Sequence, residues 1–120
     1  MKVKTVKGAL KALEGVSHWL KLYQDLSIKP LYVTKEKVKL DFENLTYVSI
    51  GPKPINKKSI KVERSGQLIE ALQKMPAGAV LRTPKRIPGN VFEYVDNSVS
   101  VSHVSYNHMF EGRIEYISIN

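Results

Sequence analysis

The side chains best suited to bind a ligand are cations, and they are concentrated in one third of the chain. Residues 51–90 carry nine basic side chains against Glu63 and Glu70, so this third holds 9 − 2 = +7, compared with +8 for all 120 residues. Lysine supplies a point charge and arginine a planar fork of donors, and both suit phosphate. The pattern predicts a phosphate-binding surface centred on residues 53–86. The cations expected to form it are Lys57, Lys58, Arg64, Arg82, Lys85 and Arg86.

Two proline-bearing segments, 51–58 and 84–90, are predicted to be loops on either side of a short helix. Each brings two or three cations, and their convergence in the folded protein would make one patch. Tyr47, Phe92 or Tyr94 could stack on a base if exposed. We therefore interpret the chain as a small, non-enzymatic module that binds nucleic acid or another phosphate-bearing ligand. Basic charge attracts polyanions but does not by itself identify which one.

A second group of reactive side chains consists of His103, His108, Glu111 and Arg113. Histidine can transfer protons near neutral pH, a carboxylate can act as a base, and arginine can stabilise an anionic phosphorus centre. Such a set suits a metal-independent nuclease. On a continuous strand, however, His103 and His108 point to opposite faces, because they are an odd number of residues apart. A β-bulge near Val104, or a turn, would have to re-aim one of them, so the nuclease is kept as an alternative.

The chain contains no cysteine, which excludes disulfides, zinc–thiolate sites, iron–sulfur clusters and thiol catalysis. The two neighbouring histidines lack a third ligand at a recognised spacing, and the sequence has no glycine-rich phosphate loop and no hydrolase motif. The expectation is a protein that carries neither a metal nor a cofactor.

A protein-interaction module is the other alternative. An accessory or inhibitory factor of the kind that viruses and mobile elements encode would suit a compact chain without a catalytic motif. Its basic surface would dock on an acidic protein partner, or the chain would form homo-oligomers through a sheet edge or through the region of Trp19 and Tyr23.

Membrane binding is not expected. No apolar run approaches the roughly 20 residues needed to span a bilayer, and the sequence lacks the pattern of a signal peptide. The cations on the polar side of the first predicted helix are interpreted as its solvated face. We expect a soluble cytoplasmic protein.

Residues 1–120 are predicted to form a single α+β domain with two helices. Apolar residues recur every three or four positions from Thr5 to Leu26, which predicts an amphipathic helix capped by Thr5, with a break near Gly15 left open. A second, short helix is predicted to begin after Ser65, its N-cap, and to end at Met75.

Alternating apolar and polar residues predict β-strands in the rest of the chain. The predicted strands are 37–42, 47–50, 59–63, 79–83, 91–95, 99–106 and 113–119, joined by turns or loops at 43–44, 51–58, 84–90, 96–98 and 107–112. No internal repeat is apparent. Hairpin-length connections indicate a mainly antiparallel sheet, with the two helices covering one of its faces.

Overall fold

The computed structural model describes residues 1–89, 91–96 and 98–120, apart from the side chains of Leu40 and Val91. Over these residues the fold is α+β and rich in sheet. The helices are α1 (Val6–Ala12) and α2 (Ser65–Gln73). The strands are β1 (Lys2–Val3), β2 (Lys21–Gln24), β3 (Ser27–Ile28), β4 (Leu31–Leu40), β5 (Glu43–Gly51), β6 (Ile60–Val62), β7 (Val80–Ile87), β8 (Val91–Val95), β9 (Val99–His108) and β10 (Gly112–Ile119). Neither helix in this part of the chain has the length and apolar content to span a membrane.

The strands form two sheets where the sequence predicted one. Sheet 1 has the order β1-β9-β10-β2-β3, and sheet 2 has the order β6-β4-β5-β7-β8. Neighbouring strands are antiparallel except for β2 beside β10 and β7 beside β5, which are parallel. The predicted α+β class with mainly antiparallel pairing is confirmed, and the single sheet is corrected to two.

The first helix is much shorter than predicted. Thr5 caps it as expected, because its hydroxyl accepts a hydrogen bond from the Gly8 amide at 3.2 Å. The helix ends at Ala12, and Gly15 follows with φ +74°, a left-handed conformation that glycine adopts without strain. Residues 21–24 then form β2, in which Leu22 and Gln24 are buried. Leu20, immediately before β2, continues the three- and four-residue spacing of a helical stripe, but pairing of residues 21–24 with β10 and β3 makes the stretch that follows a strand.

Three further local predictions are corrected. Ser65 is the first residue of α2 and not its N-cap, which is Arg64. The predicted loop at 84–90 is strand as far as Ile87. Proline has no backbone N–H to donate to a neighbouring strand, but β7 pairs with β5 only up to Arg82, so Pro84 interrupts no hydrogen bond between these two strands. Asn90, at the end of that loop, and Asn97, in the predicted 96–98 connection, lie outside the described residues. The register between β9 and β10 is continuous, so the bulge near Val104 is absent from this hairpin.

The two sheets repeat one arrangement. In each, a long hairpin (β9–β10 or β4–β5) lies between an antiparallel strand (β1 or β6) and a parallel strand (β2 or β7), which itself pairs with a further strand (β3 or β8). A helix joins the two flanking strands, α1 in sheet 1 and α2 in sheet 2. The described chain therefore contains two copies of a motif, although no repeat is apparent in the sequence. We call them copy 1 (2–28 with 99–119) and copy 2 (31–95).

Reciprocal backbone contacts join the two copies. Thr5 forms a β-bridge with Val80, and the corresponding Arg64 forms one with Lys21. Likewise the Val6 amide donates to the Ala79 carbonyl at 3.0 Å, and the Ser65 amide donates to the Leu20 carbonyl at 2.8 Å. Such reciprocity is what an approximate two-fold relation produces. Each helix thus begins against the loop that precedes the parallel strand of the other copy.

A single hydrophobic cluster joins the inner faces of both sheets and both helices. Corresponding residues of the two copies fill it. Leu22 and Leu81 are fully buried; Ile50 is fully buried and its counterpart Ile119 is 1% exposed. Burying one such side chain stabilises the fold by about 1.5–3 kcal/mol. The core ends well before the tips of the two long hairpins, and beyond it the inner faces carry polar side chains.

Candidate functional site

The structure does not gather the six predicted cations into one patch. Lys57 and Lys58 line a cleft of about 890 Å³. Arg64 lines a different cleft, of about 590 Å³. Arg82, Lys85 and Arg86 lie along β7, and none of them lines either cleft in the described part of the chain.

The larger cleft is walled by lysines from three separate segments. On β4, Leu31 and Val33 are buried, and the same alternation then places Lys35 and Lys37 on that face as exposed residues. Strand β6 pairs with β4 only at residues 31–33, so the two lysines lie beyond the paired segment. We call the cleft formed here the lysine cleft, and its cations are Lys35, Lys37, Lys57, Lys58 and Lys74.

Positive charge in the lysine cleft is nearly uncompensated. Glu36 is the single acidic residue in its lining, and Arg82 forms an ion pair with the Glu36 carboxylate. Among the described residues, no carboxylate forms an ion pair with any of the five lysines. Five lysines therefore line one opening to solvent, where an anion can neutralise several of their ammonium groups together.

Arg82 holds sheet 2 together from its outer face. Its guanidinium pairs with Glu36 and donates to the Ser49 hydroxyl at 2.8 Å. It also lies 4.6 Å from the ring centroid of Tyr47 and 5.8 Å from that of Tyr94. Partial burial raises the pKa of the Tyr94 phenol; Glu36 raises it further, and Arg82 acts in the opposite direction. With its donors and its planar face engaged, Arg82 has a structural role in this arrangement.

The other predicted cations occupy separate places. The Arg86 guanidinium lies 5.0 Å from the ring centroid of Phe92 and 3.9 Å from a carboxylate oxygen of Asp25. Lys85 lies on the opposite face of β7, where partial burial lowers its pKa and the charge of Lys2 lowers it further. Tyr47 and Phe92, proposed as stacking partners for a base, contact arginines of the chain itself.

Sequence reasoning missed three members of the lysine cleft: Lys35, Lys37 and Lys74. Lys37 alternates with Val38 and Leu40, which by itself indicates only the wet face of a half-buried strand, and Lys35 lies before the first predicted strand. Lys74 follows the last residue of α2 and forms its C-cap, a position that favours a cation whether or not it binds anything. Only the packing of α2 beside β4 shows that these residues share a cleft with Lys57 and Lys58.

The smaller cleft lies on the outer face of sheet 1 and is rich in aromatic side chains. Tyr23 and Tyr116 stack with ring centroids 4.6 Å apart and an interplanar angle of 22°, and Trp19 and Tyr106 line the same cleft. Partial burial raises the pKa of the Tyr116 phenol, and the neighbouring Tyr23 and Tyr106 raise it further. We call this the aromatic cleft; its cations are Lys21, Arg64 and Arg113.

The nuclease constellation is not assembled. His103 Nε2 lies 3.3 Å from Glu115 Oε1, whereas His108 Nδ1 accepts hydrogen bonds from the amides of Phe110 and Glu111, each at 3.2 Å, in the hairpin turn. The continuous register keeps the two histidines on opposite faces of β9. No group of three or more histidine, aspartate or glutamate side chains suited to a metal ion occurs among the described residues.

Comparisons with protein-family models, with curated proteins and with solved structures find no significant match to this chain.

Proposed function

We propose that the protein binds nucleic acid through the lysine cleft, by neutralising backbone phosphates. The observation that carries this proposal is the convergence of five lysines from β4, from the 56–58 loop and from the end of α2 around one opening. Lysine–phosphate contacts gain free energy largely by releasing the counterions condensed on the polymer. A row of separated point charges matches a polymer with evenly spaced phosphates.

The end of α2 that faces the cleft favours an extended polyanion over one small phosphate compound. Lys74 and Met75 line the cleft and follow the last helical residue, Gln73. A helix C-terminus carries partial negative charge, whereas sites for a single phosphate typically use a helix N-terminus. The lysines also lack the bidentate geometry with which arginine grips one phosphate. Binding spread over several phosphates is consistent with both features.

Salt dependence is the direct test of the proposal. For a fluorescein-labelled single-stranded oligonucleotide, measured by anisotropy, the logarithm of the association constant should fall linearly with the logarithm of the salt concentration. The expected slope is about −0.7 per lysine that contacts a phosphate, or up to about −3.5 for the whole cleft. An affinity that is independent of salt, or absence of binding at low salt, would contradict the proposal.

A second candidate function, protein interaction, is favoured by the hairpin tips. Phe42 is fully exposed at the tip of β4–β5, and Met109 and Phe110 are exposed by 88% and 87% at the tip of β9–β10. Exposed apolar side chains at projecting ends are typical of contact surfaces. The two tips lie in corresponding hairpins of the two copies, so one partner surface could be engaged twice.

Light scattering after size exclusion tests self-association through these tips. If the tips join copies of the chain, the protein elutes as an oligomer and the Phe42→Ser/Phe110→Ser variant elutes as a monomer. Both side chains are exposed, so the fold should tolerate their replacement. A monomeric parent protein at high concentration, or an oligomer unchanged by the double substitution, would rule out assembly by this route.

A further inference from the structure

We infer that the aromatic cleft binds the unstacked bases of single-stranded nucleic acid, with Trp19 as the principal stacking surface. This inference rests on the proposed function and specifies its ligand, because bases are accessible to aromatic rings in single strands and not inside a duplex. Proteins that bind single strands combine cations along the backbone with aromatic rings on which bases stack. Both components are present here, the cations in the lysine cleft and the rings in the aromatic cleft.

The duplicated motif shows how the aromatic cleft differs from its counterpart. On the outer face of sheet 2, Tyr47 is covered by Arg82, which pairs with Glu36. The register of the two hairpins places Tyr116 where sheet 2 has Tyr47, and Tyr23 where it has Arg82. An internal ion pair is thus replaced by stacked rings in copy 1.

The outer face of sheet 2 is also more closed. Thr34 and Ser49 are fully buried there, and the Thr34 hydroxyl lies 2.6 Å from that of Ser59, in the 51–60 segment that crosses this face. On sheet 1, by contrast, Trp19 is 68% exposed and Tyr106 is 46% exposed. Copy 1 therefore presents aromatic surface to solvent, whereas at the corresponding place in copy 2 the side chains bond to one another.

Trp19 is held in place through its backbone while its ring stays in solvent. The Gly66 amide donates to the His18 carbonyl at 2.9 Å, and an Arg64 guanidinium nitrogen donates to the Trp19 carbonyl at 3.1 Å. The buried Ser65 hydroxyl donates to the Ser17 carbonyl and accepts from the Leu20 amide. A β-carbon at Gly66 would come within 2.9 Å of the His18 side chain, so glycine permits this close approach. Because the loop is ordered before binding, little conformational entropy is lost when a base stacks.

Charge in the aromatic cleft matches a nucleic acid. Arg113 and His103 both contact the Glu115 carboxylate, at 3.3 Å. The described lining also includes Glu111, so the three cations Lys21, Arg64 and Arg113 exceed the two carboxylates by one charge. Arginine beside an aromatic ring also stacks well on bases. An apolar surface of a protein partner would contact the rings but not the cations, whereas a polymer of bases and phosphates contacts both.

A groove along α2 leads from one cleft towards the other. Trp19 and Arg64 line this groove as well as the aromatic cleft, and the groove continues along the helix to Gln73. The next residue, Lys74, belongs to the lysine cleft. A helix of nine residues is about 14 Å long, a distance that a short single strand can span. Glu70 is the one carboxylate in the described lining of this groove.

Intrinsic fluorescence gives a specific test, because Trp19 is the single tryptophan of the chain. The probes are an oligothymidylate, an abasic deoxyribose-phosphate oligomer of the same length, and inorganic polyphosphate. We expect the oligothymidylate to quench Trp19 fluorescence on binding, and the two ligands without bases to bind without quenching. If the oligothymidylate binds by anisotropy, leaves Trp19 fluorescence unchanged and has the same affinity as the abasic oligomer, the stacking inference is wrong while the proposed function stands. If none of the three binds, both are wrong.

Variants separate stacking from a general effect on the fold. Trp19→Ala should weaken oligothymidylate binding by roughly tenfold, in the range known for loss of one base–aromatic stack, and should leave the abasic oligomer unaffected. Trp19→Tyr should restore most of the affinity. Leu26→Ala, which removes an apolar side chain that is 87% exposed and lies outside the described lining of both clefts and of the groove, is the matched control and should bind like the parent. Equal loss for the base-containing and abasic oligomers in Trp19→Ala would overturn the inference.

Discussion

The Lys37→Gln/Lys58→Gln/Lys74→Gln variant is expected to bind a single-stranded oligonucleotide about a hundredfold more weakly than the parent at 0.1 M salt. The triple substitution removes one cation from each of the three segments that wall the lysine cleft. Each lost phosphate contact lowers the salt slope by about 0.7 and, at 0.1 M salt, the affinity by about fivefold, so three contacts together give about two orders of magnitude. Titrations at several salt concentrations measure both quantities.

A charge-matched control makes this result interpretable. Lys7→Gln/Lys11→Gln/Lys53→Gln removes the same net charge from exposed lysines that do not line the cleft. If the protein attracts polyanions only through its overall charge of +8, the two triple variants will lose affinity equally and the site assignment will be wrong. If the cleft is the site, the control keeps nearly the full salt slope. All six lysines are exposed, and thermal unfolding should show both variants folded.

The Arg82→Tyr variant is expected to lower the free energy of unfolding by about 2 kcal/mol, because it leaves the Glu36 carboxylate without its partner in a half-buried place. The two side chains of this ion pair are only 22% and 23% exposed, so solvent compensates the loss poorly. Glu36→Val alone should also destabilise the fold, since the guanidinium then lacks its counter-charge. Urea unfolding, with the slope of free energy against urea checked for constancy, measures both.

The double variant Glu36→Val/Arg82→Tyr tests the cause of this destabilisation. It gives sheet 2 the residue types that copy 1 has at the corresponding positions, Val104 and Tyr23. Both copies have a tyrosine beside them, Tyr47 in sheet 2 and Tyr116 in sheet 1. Replacing both members of a buried pair by packed apolar groups is often neutral. We therefore expect the double variant to be more stable than the sum of the single changes predicts, by about 1–3 kcal/mol. Strictly additive effects would show that the ion pair does not couple the two residues.

This role of Arg82 also changes how the sequence-based hypothesis must be tested. A variant that neutralises Arg82, Lys85 and Arg86 together would remove the Glu36 partner and the cover of Tyr47. Loss of binding in such a variant would combine destabilisation with loss of charge. The cleft lysines avoid this difficulty, because each lies exposed and forms no ion pair with a described carboxylate.

Features that depend on near neighbours were predictable from the sequence. The Thr5 cap, the short helix ending before Met75 and the opposite orientation of His103 and His108 all follow from local hydrogen-bonding chemistry and from side-chain periodicity. The β4–β5 hairpin was also predictable, but its turn lies at 41–42 and not at the predicted 43–44, which belongs to β5. The stretch after Gly15 was mispredicted, because Leu20 and Tyr23 continue the three- and four-residue spacing of a helix, whereas the buried residues of β2 alternate, as Leu22 and Gln24 do. A short segment contains too few residues to separate the two periods.

The sequence by itself determined the α+β class, the surplus of positive charge and the absence of cysteine chemistry, since these depend on composition and on short-range periodicity. Only the tertiary structure decided which cations share a surface and that the fold is duplicated. The duplication is hard to see because the hairpin precedes the β-α-β unit in copy 2 and follows it in copy 1. The lysine cleft depends on where β6 stops pairing with β4 and on where α2 ends beside it. Such positions are set by register and packing between residues distant in the chain, which no local pattern encodes.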